Sequence, residues 1–229
     1  MKHQPRSVLC LLAHPDDETF ICGGTLARLS KRGARVVVVS ATRGEMGRRM
    51  GLPPSITRES MPAVREEELR QACRHLGIEP PVFLGLRDKT VEYADYEPLV
   101  DRLMALIASH QPDVVFTFHP EWGGHPDHCA IGRAAVDAFD RLGERRSDLY
   151  FISFGDPSET MARTGRHELA DAVRVDVTDS LPEKLRAFRA HRSQTEMDMW
   201  LWQPDAAALA RFGAFEYFIL ARKRGAFEL

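Results

Sequence analysis

Two short clusters of histidine and carboxylate residues are the part of the sequence best suited to chemistry. The first is AHPDDE at residues 13–18, and the second is HPDH at residues 125–128. Zinc in enzymes prefers histidine nitrogen, cysteine sulfur and carboxylate oxygen, and a catalytic zinc usually keeps three protein ligands and one open position. His14, Asp17 and His128 make such a set. The two clusters therefore predict a catalytic metal site.

Asp16, His125 and Asp127 complete the predicted chemistry. Asp16 lies beside Asp17 and is left free to take a proton from water as general base. His125 is three residues from His128, so both rings can project the same way from a helical turn. As an imidazolium, His125 could stabilise an oxyanion and protonate a leaving amine, with Asp127 holding its ring and raising its pKa. This arrangement fits hydrolysis of a C–N bond.

A simpler interpretation assigns both clusters to local structure. His-Pro-Asp commonly forms a turn, and the acidic residues at 16–18 could cap a following helix. Either cluster alone leaves this alternative open. Their occurrence together, at the ends of two predicted strands, favours the metal site.

Seven β-rich runs alternate with helical patterns along the chain. The runs are SVLCLLA, ARVVVVSAT, PVFLGL, DVVFTFH, DLYFISF, AVRVDV and EYFILAR. Several are apolar on both faces, which is typical of parallel strands covered by helices. Helical patterns occur in GGTLARLSKRG, RESMPAVREEELRQACRHLG, YEPLVDRLMALIASH, DHCAIGRAAVDAFDRLG and residues 181–202. The alternation predicts an α/β fold, a Rossmann-like three-layer sandwich with a mostly parallel sheet.

The predicted strands explain how the clusters can meet. AHPDDE follows the first strand, and HPDH comes shortly after DVVFTFH. Ligands of open α/β sheets bind beyond the carboxyl ends of the strands, so we expect the site at that edge. The long connection TRGEMGRRMGLPPSITRES follows the second strand, and long loops often carry function.

Composition limits the classes of partner. The 229 residues suffice for one sizeable core, and we predict a single domain over residues 1–229. The chain has 31 basic and 33 acidic residues and a net charge of −2, so no global field favours nucleic acid or an anionic membrane. Its four cysteines form no Cys-x-x-Cys pair, which suits reduced thiols in the cytoplasm. No apolar run is long enough to span a bilayer.

AHPDDE followed by HPDH resembles the zinc-dependent de-N-acetylases of the PIG-L or LmbE-like family, which remove acetyl groups from substrates containing N-acetylglucosamine. The resemblance implies metal ligands at His14, Asp17 and His128. It implies a general base at Asp16 and a charged stabilising histidine at His125. The implied cofactor is Zn²⁺, and Fe²⁺ could replace it in the cell because ligands alone do not decide the metal.

Three further stretches, TRGEMGRRMGLPPSITRES, LGLRDKTVE and AHRSQTE, are similar to the bacillithiol-biosynthesis deacetylases within this family. Those enzymes hydrolyse N-acetylglucosaminyl-malate to glucosaminyl-malate. They tend to form hexamers, so the resemblance implies a homo-oligomer. Mycothiol-type relatives carry a tyrosine two residues before the stabilising histidine, where this chain has Gly123. A tyrosine contribution to the oxyanion is therefore not implied here.

Malate brings two carboxylates, which guanidinium groups can bind bidentately. Arginines are concentrated in the long loop and at the start of the next helical pattern, at Arg43, Arg48, Arg49, Arg58 and Arg65. We favour Arg65, which matches a substrate-binding arginine of the family, and then Arg58. A solvated basic loop is the alternative. Asp88, just after PVFLGL, could accept sugar hydroxyls or serve a turn.

Two other functions stay open. The first keeps the enzyme and changes its substrate to chitooligosaccharides or another N-acetylglucosaminide. The second is a non-catalytic sugar- or nucleotide-binding Rossmann-like module, which depends on the fold and on Gly23 and Gly24.

Overall fold

The computed structural model describes residues 3–47, 51, 53, 55–143, 147–157 and 172–229. The strands are β1 (Ser7–Leu12), β2 (Arg35–Thr42), β3 (Val82–Leu86), β4 (Val114–Thr117), β5 (Asp148–Ser153), β6 (Ala172–Asp176) and β7 (Phe215–Arg222). The helices are α1 (Asp17–Lys31), α2 (Met61–Leu76), α3 (Tyr96–His110), α4 (Pro126–Arg141), α5 (Leu181–Ala190), α6 (Arg192–Thr195) and α7 (Asp205–Leu209). A strand occupies each of the runs that the sequence predicted.

One sheet contains all of these strands, in the order β3-β2-β1-β4-β5-β7-β6. Strand β1 pairs in parallel with β2 on one side and with β4 on the other. Strands β3 and β5 extend the parallel part, whereas β7 is antiparallel to both β5 and β6. The prediction of a mostly parallel sheet is confirmed.

The centre of the sheet is buried on both faces. Leu9, Cys10 and Leu11 of β1 are all 0% exposed, although successive residues of a strand point to opposite faces. Helices α1, α2 and α5 pack against one another, and α3 packs against α4. These two groups of helices cover the sheet and give three layers, as the sequence predicted.

The parallel strands end at the same edge of the sheet. Beyond the carboxyl ends of β1, β2, β3 and β4 lie the described segments 13–16, 43–47, 55–60, 87–90 and 118–125. The described residues that the sequence assigned to the site lie in these segments or in the first two turns of the helices after them. Strand pairing therefore brings distant parts of the chain to one place.

The helical pattern predicted for residues 181–202 is interrupted. Helix α5 ends at Ala190, His191 leaves helical geometry with φ −77° and ψ 49°, and α6 begins at Arg192. The interruption accompanies a tertiary contact of the His191 ring with Glu18, described below. Within the described residues, no helix combines the length and the hydrophobicity needed to cross a lipid bilayer.

Candidate active site

The turn after β1 places His14 and Asp17. The Oδ2 atom of Asp17 accepts the backbone amides of Ala13 at 3.2 Å and of His14 at 2.8 Å, which holds the turn closed. Its other oxygen, Oδ1, lies 3.3 Å from His128 Nε2. Asp17 thus combines the turn role of the simpler interpretation with a contact to the second cluster.

The first turn of α4 places His128. Its Nδ1 lies 2.7 Å from the carbonyl oxygen of Gly123, and the Phe118 ring stacks on its imidazole with centroids 3.8 Å apart. A Cβ atom at position 123 would lie 2.8 Å from His128 Cβ, too close for any side chain without a shift. Gly123 therefore fits closely against His128. This close fit explains why a tyrosine cannot occupy position 123 in this chain without a shift of the surrounding atoms.

The three residues predicted as metal ligands come together. His14 Nδ1 lies 3.2 Å from His128 Nε2 and 3.7 Å from Asp17 Oδ2. One possible ligand atom from each residue lies within 4.8 Å of the other two. Two ring nitrogens and a carboxylate facing one another need a cation between them, either a shared proton or a metal ion.

Asp127 contacts His14 rather than the His125 ring. Its fully buried carboxylate lies 3.1 Å from His14 Nε2 and accepts the backbone amides of Lys89 at 2.7 Å and Val91 at 3.1 Å. The expectation that this carboxylate holds the His125 ring is wrong. His125 Nδ1 instead accepts the Asp127 backbone amide at 3.1 Å, which caps the first turn of α4.

The pKa values follow from these contacts. Burial alone would lower the pKa of His14, but hydrogen bonds to Asp127 and Asp88 outweigh it and raise that pKa to about 10. Burial would raise the pKa of Asp17, yet the contact with His128 holds it well below its usual range. The field at His14 thus favours positive charge.

The pKa of His125 is lowered, first by burial and then by the neighbouring charge of His14. The charge of Asp127 acts in the expected direction and raises the pKa of His125, but burial and His14 outweigh it, so the net shift is opposite to the expected one. Because Nδ1 accepts an amide, the proton of the neutral ring is on Nε2. His125 can then stabilise an oxyanion by donating a hydrogen bond rather than by a full charge.

Asp16 lies next to the metal-ligand candidates in an unusual backbone conformation, with φ 117°. Its Oδ2 accepts a hydrogen bond from Nη2 of the buried Arg65 at 2.7 Å. Its side chain caps no amide of α1. Burial raises the pKa of Asp16 above its usual value, against the opposing charge of Arg65. A raised carboxyl pKa suits a general base that works near neutral pH.

Arg65 is committed to contacts within the protein. Besides Asp16, its guanidinium binds the carbonyl oxygen of Pro15, and its Nη1 donates to the Gly44 carbonyl at 2.9 Å. Arg58 is exposed and donates from Nη1 to the carbonyls of Glu45 and Gly47. Binding of a substrate carboxylate by these two arginines stays a prediction, and their contacts favour a role in shaping the loop.

The other residues of the predicted substrate site lie around this loop. Asp88 is 4% exposed, its Oδ1 lies 3.2 Å from His14 Nε2, and its Oδ2 accepts the Met46 amide at 2.8 Å. Arg43 pairs with Glu66 at 3.2 Å on the surface. Arg48 and Arg49 lie outside the described residues.

These side chains surround one open pocket of about 260 Å³. It is lined by His14, Asp16, Asp17, Met46, Gly47, Arg65, Asp88, Lys89, His125, His128 and Gln194. A volume of this size at the carboxyl edge of the sheet can admit an acetamido sugar, and its openness leaves room for a larger aglycone.

Sequence reasoning missed two contributors to this site, Glu18 and Lys89, and left His191 between a place at the site and a role in helix packing. Glu18 is fully buried, accepts the backbone amide of Asp16 and contacts His191. From the sequence, Glu18 was only one of three acidic residues that could cap a helix. Lys89 has φ 66° and lies at the pocket with its side chain exposed. The AHRSQTE stretch was the available signal for His191, and a charged residue next to Asp88 was the signal for Lys89.

Known proteins match this arrangement. The profile of the PIG-L family, described as GlcNAc-PI de-N-acetylase, matches residues 9–139. A probable N-acetyl-alpha-D-glucosaminyl L-malate deacetylase 2 of Bacillus cereus is 38% identical over 192 residues, covering 83% of this chain and 84% of the relative. The protein of the same name from Bacillus subtilis is 40% identical over 191 residues, covering 82% and 83%.

The fold is matched by a solved structure as well. The N,N'-diacetylchitobiose deacetylase of Pyrococcus horikoshii, complexed with its inhibitor MPG, superposes with a TM-score of 0.70 at 27% identity, covering 93% of this chain and 83% of that one. The profile match includes both histidine and carboxylate clusters, and the similarity to the Bacillus relatives extends over most of the chain. On this agreement of sequence, fold and site, the chain belongs to the PIG-L family of de-N-acetylases.

Proposed function

We propose that this chain hydrolyses the acetamido group of N-acetylglucosaminyl-malate, releasing acetate and the free amine. The observation that carries the proposal is the meeting of His14, Asp17 and His128 beside Asp16 in one pocket. The names of the Bacillus relatives support the malate conjugate as the substrate. We further propose that the protein works as a homo-oligomer, with a hexamer as the expected form.

The residues present fit a zinc ion. Each candidate histidine has one ring nitrogen toward the other ligands and the second nitrogen near an oxygen, Gly123 O for His128 and Asp127 Oδ2 for His14. Metal-binding histidines in proteins are commonly oriented in this way. Zinc bound there supplies a Lewis acid and lowers the pKa of water. Fe²⁺ suits the same nitrogen and carboxylate ligands.

The remaining residues have separate tasks in the proposed reaction. Asp16 takes a proton from the attacking water, and Arg65 holds its carboxylate in place through the 2.7 Å contact. His125 donates a hydrogen bond from Nε2 to the oxygen of the acetamido group as negative charge develops there, and the proton taken by Asp16 passes to the amine nitrogen as the C–N bond breaks. Asp127 orients His14, and we assign it no proton transfer.

Recognition of the aglycone is proposed to involve Lys89 in addition to the predicted arginines. Lys89 lies at the pocket, has an exposed side chain, and forms no ion pair with any of the described residues. The guanidinium groups of Arg58 and Arg65 already bind backbone carbonyls. A lysine at the open side of the pocket can reach a carboxylate without losing a contact inside the protein. Asp88 is left as the proposed partner of sugar hydroxyls.

The test compares substrates and variants in purified protein. We expect the wild type to contain one equivalent of divalent metal and to deacetylate N-acetylglucosaminyl-malate faster than diacetylchitobiose or free N-acetylglucosamine. His14→Ala should lose the metal, whereas His75→Ala, a control at an exposed histidine of α2, should keep it. Asp16→Asn should keep metal and lose nearly all turnover.

Each contrary result identifies a different error. Equal metal content in wild type and His14→Ala would contradict the ligand assignment. Full activity of Asp16→Asn would contradict the general base. Faster turnover of chitooligosaccharides would support the second candidate substrate, which the likeness to the Pyrococcus structure favours. Absence of hydrolysis from every substrate, with sugar binding retained, would support the non-catalytic module.

A further inference from the structure

A fully buried histidine lies behind the candidate general base. His191, at the interruption between α5 and α6, is 0% exposed, and its Nε2 lies 2.7 Å from Glu18 Oε1. Glu18 is also 0% exposed, and its Oε1 accepts the hydroxyl hydrogen of Thr19 at 2.5 Å. The contact joins the first turn of α1 to a segment more than 170 residues away in sequence.

Glu18 connects this histidine to Asp16. Its second oxygen, Oε2, accepts the backbone amide of Asp16 at 3.0 Å. Asp16 has φ 117°, a conformation that residues with a Cβ atom rarely adopt. Such a conformation persists only where surrounding contacts determine it. The Glu18 carboxylate is one of these contacts, and Arg65 supplies the others by binding the Pro15 carbonyl and the Asp16 side chain.

Packing alone does not explain why position 191 is a histidine. Its Nδ1 is buried and has no hydrogen-bond partner among the described residues. A buried polar atom without a partner is destabilising, and an apolar ring of similar size would avoid it. The contribution that a phenyl ring cannot make is the Nε2 hydrogen bond to Glu18.

The segment that carries His191 is itself anchored to the helix of Arg65. The Ser193 amide and hydroxyl both donate to the carboxylate of Glu68 on α2, at 2.6 Å and 2.7 Å. Arg65 of α2 therefore contacts Asp16 from one side. His191, the residue before α6, acts on Asp16 from the other side through Glu18. The hydrogen bonds between Ser193 and Glu68 join these two supports to each other.

We propose that His191 is a positioning residue: through Glu18 it fixes the backbone of Asp16 so that the carboxylate of Asp16 faces the reacting amide. The inference depends on the proposed hydrolysis and adds to it a residue outside the span matched by the family profile. His191 touches no substrate, so its loss should affect the chemical step more than substrate binding.

The test replaces the ring and keeps or removes its donor. His191→Phe keeps a ring and removes the Nε2 donor, whereas His191→Gln places an amide donor near the same position. We expect His191→Phe to lower kcat at least about tenfold, with KM within about threefold of wild type and metal content unchanged. His191→Gln should recover most of the lost kcat. Ser147→Ala, which removes a buried hydroxyl that donates to the Pro112 carbonyl at the amino ends of β4 and β5, serves as the control and should keep wild-type kcat.

A second measurement does not depend on activity. In hydrogen exchange, peptides covering residues 14–20 should exchange faster in His191→Phe than in wild type, while those covering β4 should not change. If His191→Phe fails to fold, His191→Asn replaces it, because its shorter side chain cannot bring a donor to the Nε2 position. Wild-type kcat per metal-loaded molecule in the variant without the donor, or a change in KM alone, would overturn the inference. An inactive wild type would instead overturn the proposed hydrolysis.

Discussion

At the scale of single residues, the carboxylates of the site are held by hydrogen bonds to other residues of the site. Asp127 is the clearest example, because it is fully buried and contacts His14 Nε2 as well as the Lys89 and Val91 amides. An asparagine has one oxygen and one NH₂ group, so it cannot accept from all of these donors. The partner of a metal-binding histidine commonly affects metal affinity strongly.

We therefore expect Asp127→Asn to weaken metal binding about 10- to 100-fold, measured by competition with a chelator. Asp113→Asn is a matched control, because Asp113 also accepts two backbone amides, those of Arg6 and Ser7, at a distance from the site. The control should bind metal like the wild type. Unchanged affinity in Asp127→Asn would show that His14 needs no such partner.

The sequence indicated which residues form the site but not how they pair. The types and spacing of His14, Asp17 and His128 were enough to group them, because only strand order was needed to bring the two clusters together. The partner of Asp127 depends on where the Lys89 turn and the His14 ring lie in space, which spacing along the chain does not encode. The same reason applies to Arg65, whose guanidinium points back to the first turn rather than out to solvent.

At the scale of elements, the backbone of the loop after β2 lies directly against the side chain of Arg65 from α2. Gly44 has φ 63°, and a Cβ atom there would lie 2.0 Å from Nη1 of Arg65. Only a residue without a side chain leaves room for the guanidinium that holds Asp16.

We expect Gly44→Ala to displace Arg65 and to lower kcat/KM at least about tenfold, as for loss of a charged hydrogen bond worth ~1.5 kcal/mol. Gly33→Ala is the control, since Gly33 has φ 88° but nothing within 4 Å of its added Cβ. Both variants should lose about 1 kcal/mol of unfolding free energy for the backbone strain, measured by urea denaturation. Equal kcat/KM in Gly44→Ala and Gly33→Ala would show that the position of Arg65 does not affect catalysis.

The helices show where local patterns suffice and where they do not. Helix α3 follows its predicted stretch from Tyr96 to His110, because its apolar periodicity and its ends are local features. The stretch from 181 to 202 was predicted as helical, but it breaks at His191 because the ring turns inward to Glu18. A break that depends on a distant residue leaves no signature in local periodicity.

At the scale of the whole molecule, large apolar side chains remain on the surface. Those exposed include Tyr93 at 78%, Met199 at 68%, Phe154 at 62% and Met197 at 56%. Single exposed apolar residues also occur on monomers, so the expectation of a homo-oligomer rests on the sequence resemblance described above and these residues are only candidates for its contacts. We expect light scattering after gel filtration to give six times the mass of one chain, unchanged over a dilution series. A single-chain mass throughout would contradict the homo-oligomer.

Strand β1 lies inside the sheet, with β2 and β4 as its two neighbours, so the chain winds outward from it in both directions. The segments that leave β1 and β4 diverge toward different helical layers and open a crevice between them. The floor of that crevice is fixed by backbone pairing at the centre of the molecule, whereas its walls are loops near the surface. Variation in the length or charge of those walls would change which ligands can enter, while His14, Asp17 and His128 keep their positions relative to one another.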